Sequence, residues 1–120
     1  MAIYHYVVLT KSVPGQIDEF DTWYDGQHLP DACRFPGIKA AKRYKILHGL
    51  NSVAEGMQPV EAQFDSVAIY EMETDDPDQL ARDLIAQAGT PAMLLSPAYD
   101  GSKTVKYVAV AAGELSEDDV

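Results

Sequence analysis

Along this chain the hydrophobic period switches between two residues and about 3.6, in an order that few folds accommodate. Ile3 to Thr10 is rich in β-branched and aromatic residues, so it reads as a strand that stops at Ser12-Val13-Pro14-Gly15. From Pro14 to about Arg34 the pattern is helical. Ile17, Phe20, Tyr24 and His28 share one face, and Asp18 and Glu19 suit the positive end of the helix dipole. Ile38 to Leu47 and Phe64 to Met72 return to the strand period. Asp75-Asp76-Pro77 then opens a second helix, which runs through Leu80, Leu84 and Ile85 to about Ala88 and stops at Gly89. Val105 to Ala111 is the last strand. Residues 49 to 62 read as a loop, and residues 90 to 102 as loop or short irregular helix. The order β-α-β-β-α-β predicts a ferredoxin-like α+β fold, a four-stranded antiparallel sheet with two helices on one face. It forms a single domain over residues 1–112, followed by a flexible acidic tail, 113–120.

Helices on one face leave the other face to be covered. In the first strand Ile3, His5, Val7 and Leu9 point one way and Tyr4, Tyr6, Val8 and Thr10 the other; both sets are largely apolar, so His5 is expected to be at least partly buried. The second strand sets Ala41, Arg43, Lys45 and Leu47 against Ala40, Lys42, Tyr44 and Ile46. Monomers rarely expose an apolar sheet face, and a two-fold homodimer packing two such faces removes it. Lys39, Lys42 and Lys45 keep open the alternative of a monomer with a polar outer face. The 49–62 loop, with Met57 and Val60, either covers a cavity or seals a sheet edge.

The 120 residues carry a net charge of −10, which argues against nucleic acid or an anionic membrane as a partner. The acid is concentrated between Glu71 and Asp78 and in the tail, and reads as solvated turn and tail. Cys33 is the only cysteine, which excludes an internal disulfide or a multi-cysteine zinc site; it reads as a small buried hydrophobe. The start MAIYHYVVL lacks a signal-peptide pattern, and no apolar run reaches the roughly 20 residues of a bilayer span, so the expectation is cytoplasmic.

The chemistry gathers between Trp23 and Gly37, WYDGQHLPDACRFPG. Pro30 is expected to break or bend the helix just after His28, leaving that histidine at a helix terminus with its ring towards the sheet. A neutral imidazole there can take a proton and return it elsewhere. Asp25 or Asp31 is expected to hold one ring nitrogen, Tyr24 to donate to a developing oxyanion, and Arg43 or Arg34 to neutralise a substrate carboxylate. Tyr6, Phe20, Trp23 and Tyr70 would wall a flat substrate. Each has a plainer reading: His28 as a helix cap, the aromatics as core, the aspartates as surface caps, and Arg43 as an ion-pair partner for Glu71 to Asp76. His5 and His28 have no metal-ligand spacing, so no metal or cofactor is expected.

The same stretch, following VPGQIDEFD, resembles the dimeric α+β barrel superfamily, in particular small EthD-like and muconolactone-isomerase-like proteins. The matching residues are Pro14-Gly15, Glu19-Phe20, Trp23-Tyr24, His28-Leu29-Pro30, Pro36-Gly37 and Lys42-Arg43-Tyr44, and VAIYEMETDDPDQL is similar in a later segment. The resemblance implies two subunits forming a dimeric barrel, a pocket between helices and sheet, and proton transfer by His28, Tyr24 and Tyr44. Cys33 does not match the paired cysteines of some isomerases. Asn51, the one asparagine, lies in a loop, which tells against monooxygenases that use an asparagine from an early strand. The combined expectation is a cofactor-independent lyase or isomerase acting on a small aromatic or lactone-like carboxylate. The alternatives are a cofactor-free monooxygenase of an aromatic substrate and a non-catalytic dimeric binding or accessory protein.

Overall fold

Strand β1 (Ala2–Thr10) lies inside the sheet, with a neighbour on each edge. The computed structural model describes residues 2–53 and 56–120. β1 pairs antiparallel with β5 (Ser66–Thr74) on one side and with β6 (Val105–Ala109) on the other, while β2 (Ile38–Lys45) pairs with the far edge of β5. The order is β2-β5-β1-β6. This is an α+β architecture, with helices packed over one face of a four-stranded antiparallel sheet. Tyr6 and Val8 of β1 and Ala68, Tyr70 and Met72 of β5 form the buried floor, with Tyr6 directly opposite Tyr70. Their rings lie 5.9 Å apart. β2 is an edge strand and carries Lys39, Lys42 and Lys45, which discourage further pairing.

The helix expected to end at Pro30 runs on. α1 (Ile17–Trp23) passes into a π-helical turn, Tyr24–His28, and then into α2 (Leu29–Cys33). Pro30 has no N–H to donate, and in a regular helix its ring would meet the carbonyl four residues back. The wider turn supplies the room: the Leu29 N–H bonds the Tyr24 carbonyl five residues back, and the helix survives the proline. His28 therefore sits inside a helix rather than at its terminus. Phe20 and Tyr24, on the buried face, are 0% and 1% exposed.

Gly37 turns the chain into β2 at φ +99, and a methyl group there would come within 2.9 Å of Leu80. Leu80 belongs to α3 (Pro77–Ile85), capped by Asp76 accepting from the Gln79 N–H at 3.1 Å, with Pro77 in the first turn. α3 packs Ala81 and Leu84 inward. The segment after it, expected to be irregular, turns at Gly89 and folds back over the sheet. It is stitched down by Val13 N–H to Ala98 O (2.7 Å) and a bridge between Ser12 and Tyr99.

Two expectations need correction here. The 49–62 segment is largely a hairpin, β3 (Gly49–Val53) and β4 (Gly56–Val60), forming its own two-stranded sheet. Leu50 and Met57 on one face and Asn51 and Gln58 on the other are all exposed, so neither face is buried and no alternation betrays the strands. Ala54 and Glu55 lie outside the described residues. Cys33, expected to be buried, is exposed at the end of α2. In the tail, Glu117–Asp119 forms a 3-10 turn with Ser116 and Asp119 in a capping box, exposed throughout.

Candidate functional site

A cavity of about 210 Å³ opens between the buried sheet face, the π-helical turn and the folded-back segment after α3. Its floor is Tyr6, Val8 and Tyr70, and its helical wall is Trp23, Tyr24 and His28. Leu84, Met93, Leu95 and Tyr99 close it from the other side. The wider helical turn orients the three wall residues: Trp23 ends α1, while Tyr24 and His28 bracket the turn.

Three rings are stacked in series. Trp23 lies 4.7 Å from His28 on one side and 5.6 Å from Tyr99 on the other, with interplanar angles of 29° and 22°. Trp23 donates its indole N–H to the Leu94 carbonyl at 3.0 Å, which ties this stack to the folded-back segment. Tyr24 meets His28 edge-on at 5.0 Å. The histidine is thus held by aromatic packing on two sides rather than by hydrogen bonds.

His28 Nδ1 is buried and has no hydrogen-bond partner. Burial lowers the imidazole pKa from 6.5 to about 4, with Asp31 acting weakly in the opposite sense. The ring is neutral at pH 7. Burial also raises the phenols of Tyr6, Tyr24 and Tyr70, so all three remain protonated donors. For Tyr24, neighbouring polar groups of Tyr70 and Thr10 offset part of the rise. The Thr10 hydroxyl lines the same cavity, buried and without a partner.

The expected site is only partly assembled. Tyr6, Trp23, Tyr24, His28 and Tyr70 meet at the cavity. Phe20 does not reach it: fully buried, it backs the wall edge-on to Tyr24 at 5.5 Å. Asp25, expected to orient His28, points away and binds Arg43, with Oδ1 2.7 Å from Nε and Oδ2 3.2 Å from Nη2. Arg43 also donates to Asp21 (2.9 Å) and to Ser66 Oγ (3.0 Å), and lies 5.0 Å from the Tyr24 ring. Its guanidinium is consumed in clamping β2 to the first helix and is not free for a substrate carboxylate. Arg34 is likewise spent on Asp31 at 2.7 Å, which also accepts from Gln27 at 3.1 Å. Neither aspartate bonds His28.

Tyr44 pairs with Val67 on the outer face of the sheet and is 45% exposed, so it cannot join this cavity. Its alternation partner Arg43 takes the inner face, as period two requires. His5 is half-buried on that same outer face, opposite Glu71. Among the described residues no three His, Cys, Asp or Glu side chains gather as a metal site, and no helix is long and apolar enough to cross a membrane.

Sequence reading missed Thr10, Tyr99 and Lys106 as cavity residues. Tyr99 lies in a segment without a period, so nothing marked it. Lys106 was accessible to argument: alternation in β6 sets Lys106 and Val108 on the face opposite Tyr107, and pairing puts them beside Val8 and Tyr6.

No protein-family model matches the sequence, and no curated protein matches it. Among solved structures, it is similar to the crystal structure of an ethyl tert-butyl ether D (EthD) family protein from Bacillus halodurans C-125. The TM-score is 0.54 at 16% identity, covering 92% of this chain and 100% of that one. The fold is EthD-like. At that identity the likeness speaks for the fold alone.

Proposed function

We propose that the cavity of this EthD-like fold is the active site of a cofactor-independent lyase or isomerase, acting on a small aromatic or lactone-like carboxylate. The observation that carries this reading is His28: a neutral imidazole, wedged between aromatic rings, on the wall of a largely apolar hollow. One ring nitrogen is sealed and unpartnered, which leaves Nε2 to meet an occupant. In the proposed step Nε2 takes a proton from a carbon next to a substrate carbonyl. The electron pair moves onto the carbonyl oxygen, where a phenol such as that of Tyr24 donates to the developing charge. The imidazolium then returns the proton to another carbon, giving isomerisation, or to a leaving group, giving elimination. A base with a pKa of about 4 is weak by itself. A developing enolate beside the ring strengthens it, because the opposite charge favours the imidazolium.

The finer architecture belongs to the same proposal. The strand order supports a ferredoxin-like unit, and two such units would close a dimeric α+β barrel through the outer faces of their sheets.

The test is to identify a compound seen beside His28 after soaking or co-purification and to follow its turnover. Wild type should convert it without added metal or cofactor, and His28→Ala should lose about 100-fold or more in kcat. Turnover unchanged in His28→Ala would end the catalytic reading. Stoichiometric oxygen consumption would replace it with oxygenation of an aromatic substrate.

A further inference from the structure

The cavity wall carries a single permanent charge, and it is at the mouth. Lys106 lines the cavity from β6, where its backbone pairs with Val8 on the floor. Lys106 is exposed while lining the cavity, so it stands where the hollow meets solvent, a position from which a lysine keeps its ammonium in water. His28 and the phenols of Tyr6, Tyr24 and Tyr70, which share the cavity, are uncharged at pH 7.

The other cations are committed or elsewhere. Arg43 and Lys45 are bound to Asp21 or Asp25, Arg34 to Asp31, and Lys11 to Asp65. Lys39, Lys42, Arg82 and Lys103 do not line this cavity. Among the described residues, Lys106 has no carboxylate within ion-pair distance. In a chain of net charge −10, a cation left unpaired at the entrance of an apolar hollow is an attractor for anions.

Size narrows the anion. A dry cavity of about 150 Å³ holds one benzene ring. The present 210 Å³ therefore suits one ring with a short substituent, and excludes fused or multi-ring ligands unless the folded-back segment moves. We propose that Lys106 is the specificity-determining residue of this site, selecting single-ring substrates that bear one carboxylate and holding that carboxylate at the mouth. The ring then enters between Tyr6, Trp23 and Tyr70, with the buried Thr10 hydroxyl at the inner end and His28 alongside. The assignment rests on the cavity being the binding site, and it gives Lys106 the role expected, from the sequence, of Arg43 or Arg34.

Trp23, the only tryptophan in the chain, lines the cavity and reports occupancy directly by its fluorescence. Benzoate and its neutral counterpart benzamide are titrated into wild type, Lys106→Met and Lys106→Arg. Wild type should bind benzoate about tenfold tighter than benzamide, with the preference shrinking as salt rises because the ammonium is exposed. Lys106→Met should lose the preference while keeping benzamide affinity, and Lys106→Arg should retain it. Equal affinities in wild type, or a preference that persists in Lys106→Met, overturn the assignment and leave the cavity intact as a site. If neither compound perturbs Trp23, the cavity is not a site for single-ring ligands and the assignment fails with it.

Discussion

At His28 burial and a missing partner act in the same direction, since both disfavour the imidazolium. Its pKa is about 4 in the fold against 6.5 in an unfolded chain. Between those values the unfolded state binds the extra proton, so the stability contributed by the neutral ring is complete above pH 6.5 and is lost as pH falls towards 4. The loss amounts to roughly 3 kcal/mol. Urea unfolding at pH 7 and pH 4 should therefore show wild type losing that much more stability than His28→Gln, whose amide does not titrate. Equal losses would mean that the ring reaches solvent. Catalysis should share the same limb: kcat/KM flat from pH 6 to 9 and falling only near pH 4. Tyr24→Phe tests a different atom. It keeps the buried ring and removes one hydroxyl, so unfolding should change by no more than about 1 kcal/mol while kcat falls about 100-fold. His28 and Tyr24 were legible because helix periodicity put them on one face with Phe20. Asp25 misled, because proximity in sequence does not say which way a carboxylate points, and an arginine on the neighbouring strand outcompeted the histidine for it.

The elements meet at a few positions that a single substitution can probe. Gly37 holds a left-handed backbone conformation directly under Leu80, so Gly37→Ala combines backbone strain with a steric clash and should cost roughly 2–3 kcal/mol in equilibrium unfolding. Arg43 joins β2 to the first helix through a planar fork on Asp25 and Asp21 that an ammonium cannot reproduce. Arg43→Lys should lose roughly 1–3 kcal/mol, discounted because Asp25 is largely exposed, and should leave the benzoate preference untouched. A shift in that preference would return the anion-binding role to Arg43. The strands and helices that build this frame were readable because each buries one face and so carries a period. The β3–β4 hairpin buries neither and showed none. The π-helical turn was hidden for another reason: Pro30 announces a disturbance, but whether a helix ends or widens there depends on packing against the sheet, which is a tertiary fact.

The molecule is a slab 22 Å through its thinnest axis, one layer of helices on one layer of sheet, and among the described residues only one side of that sheet is fully buried. The bare side presents Ile3, Val7 and Leu9 of β1, Val67 and Ile69 of β5, and Tyr44 and Tyr107 of the two edge strands. Ile3, Tyr44 and Tyr107 are 40%, 45% and 58% exposed. Lys42 and Glu71 interrupt the patch without dividing it, and His5 opposite Glu71 gives it one polar pair. A face of this composition is costly in water, and two copies packed across it would recover the transfer energy of the shared apolar area. Sedimentation equilibrium should find a dimer at micromolar concentration. Tyr107→Glu places a charge on that face at a position too exposed to matter for the fold of one subunit, so it should weaken the dimer at least tenfold while circular dichroism stays unchanged. The cavity opens on the opposite side of the sheet, so benzoate titration of the dissociated variant separates two arrangements. Unchanged affinity means that each subunit carries a complete site. Lost affinity means that the second copy completes it. A wild-type protein that sediments as a monomer at every concentration would leave Lys42 and the His5–Glu71 pair as sufficient polar cover for the bare face.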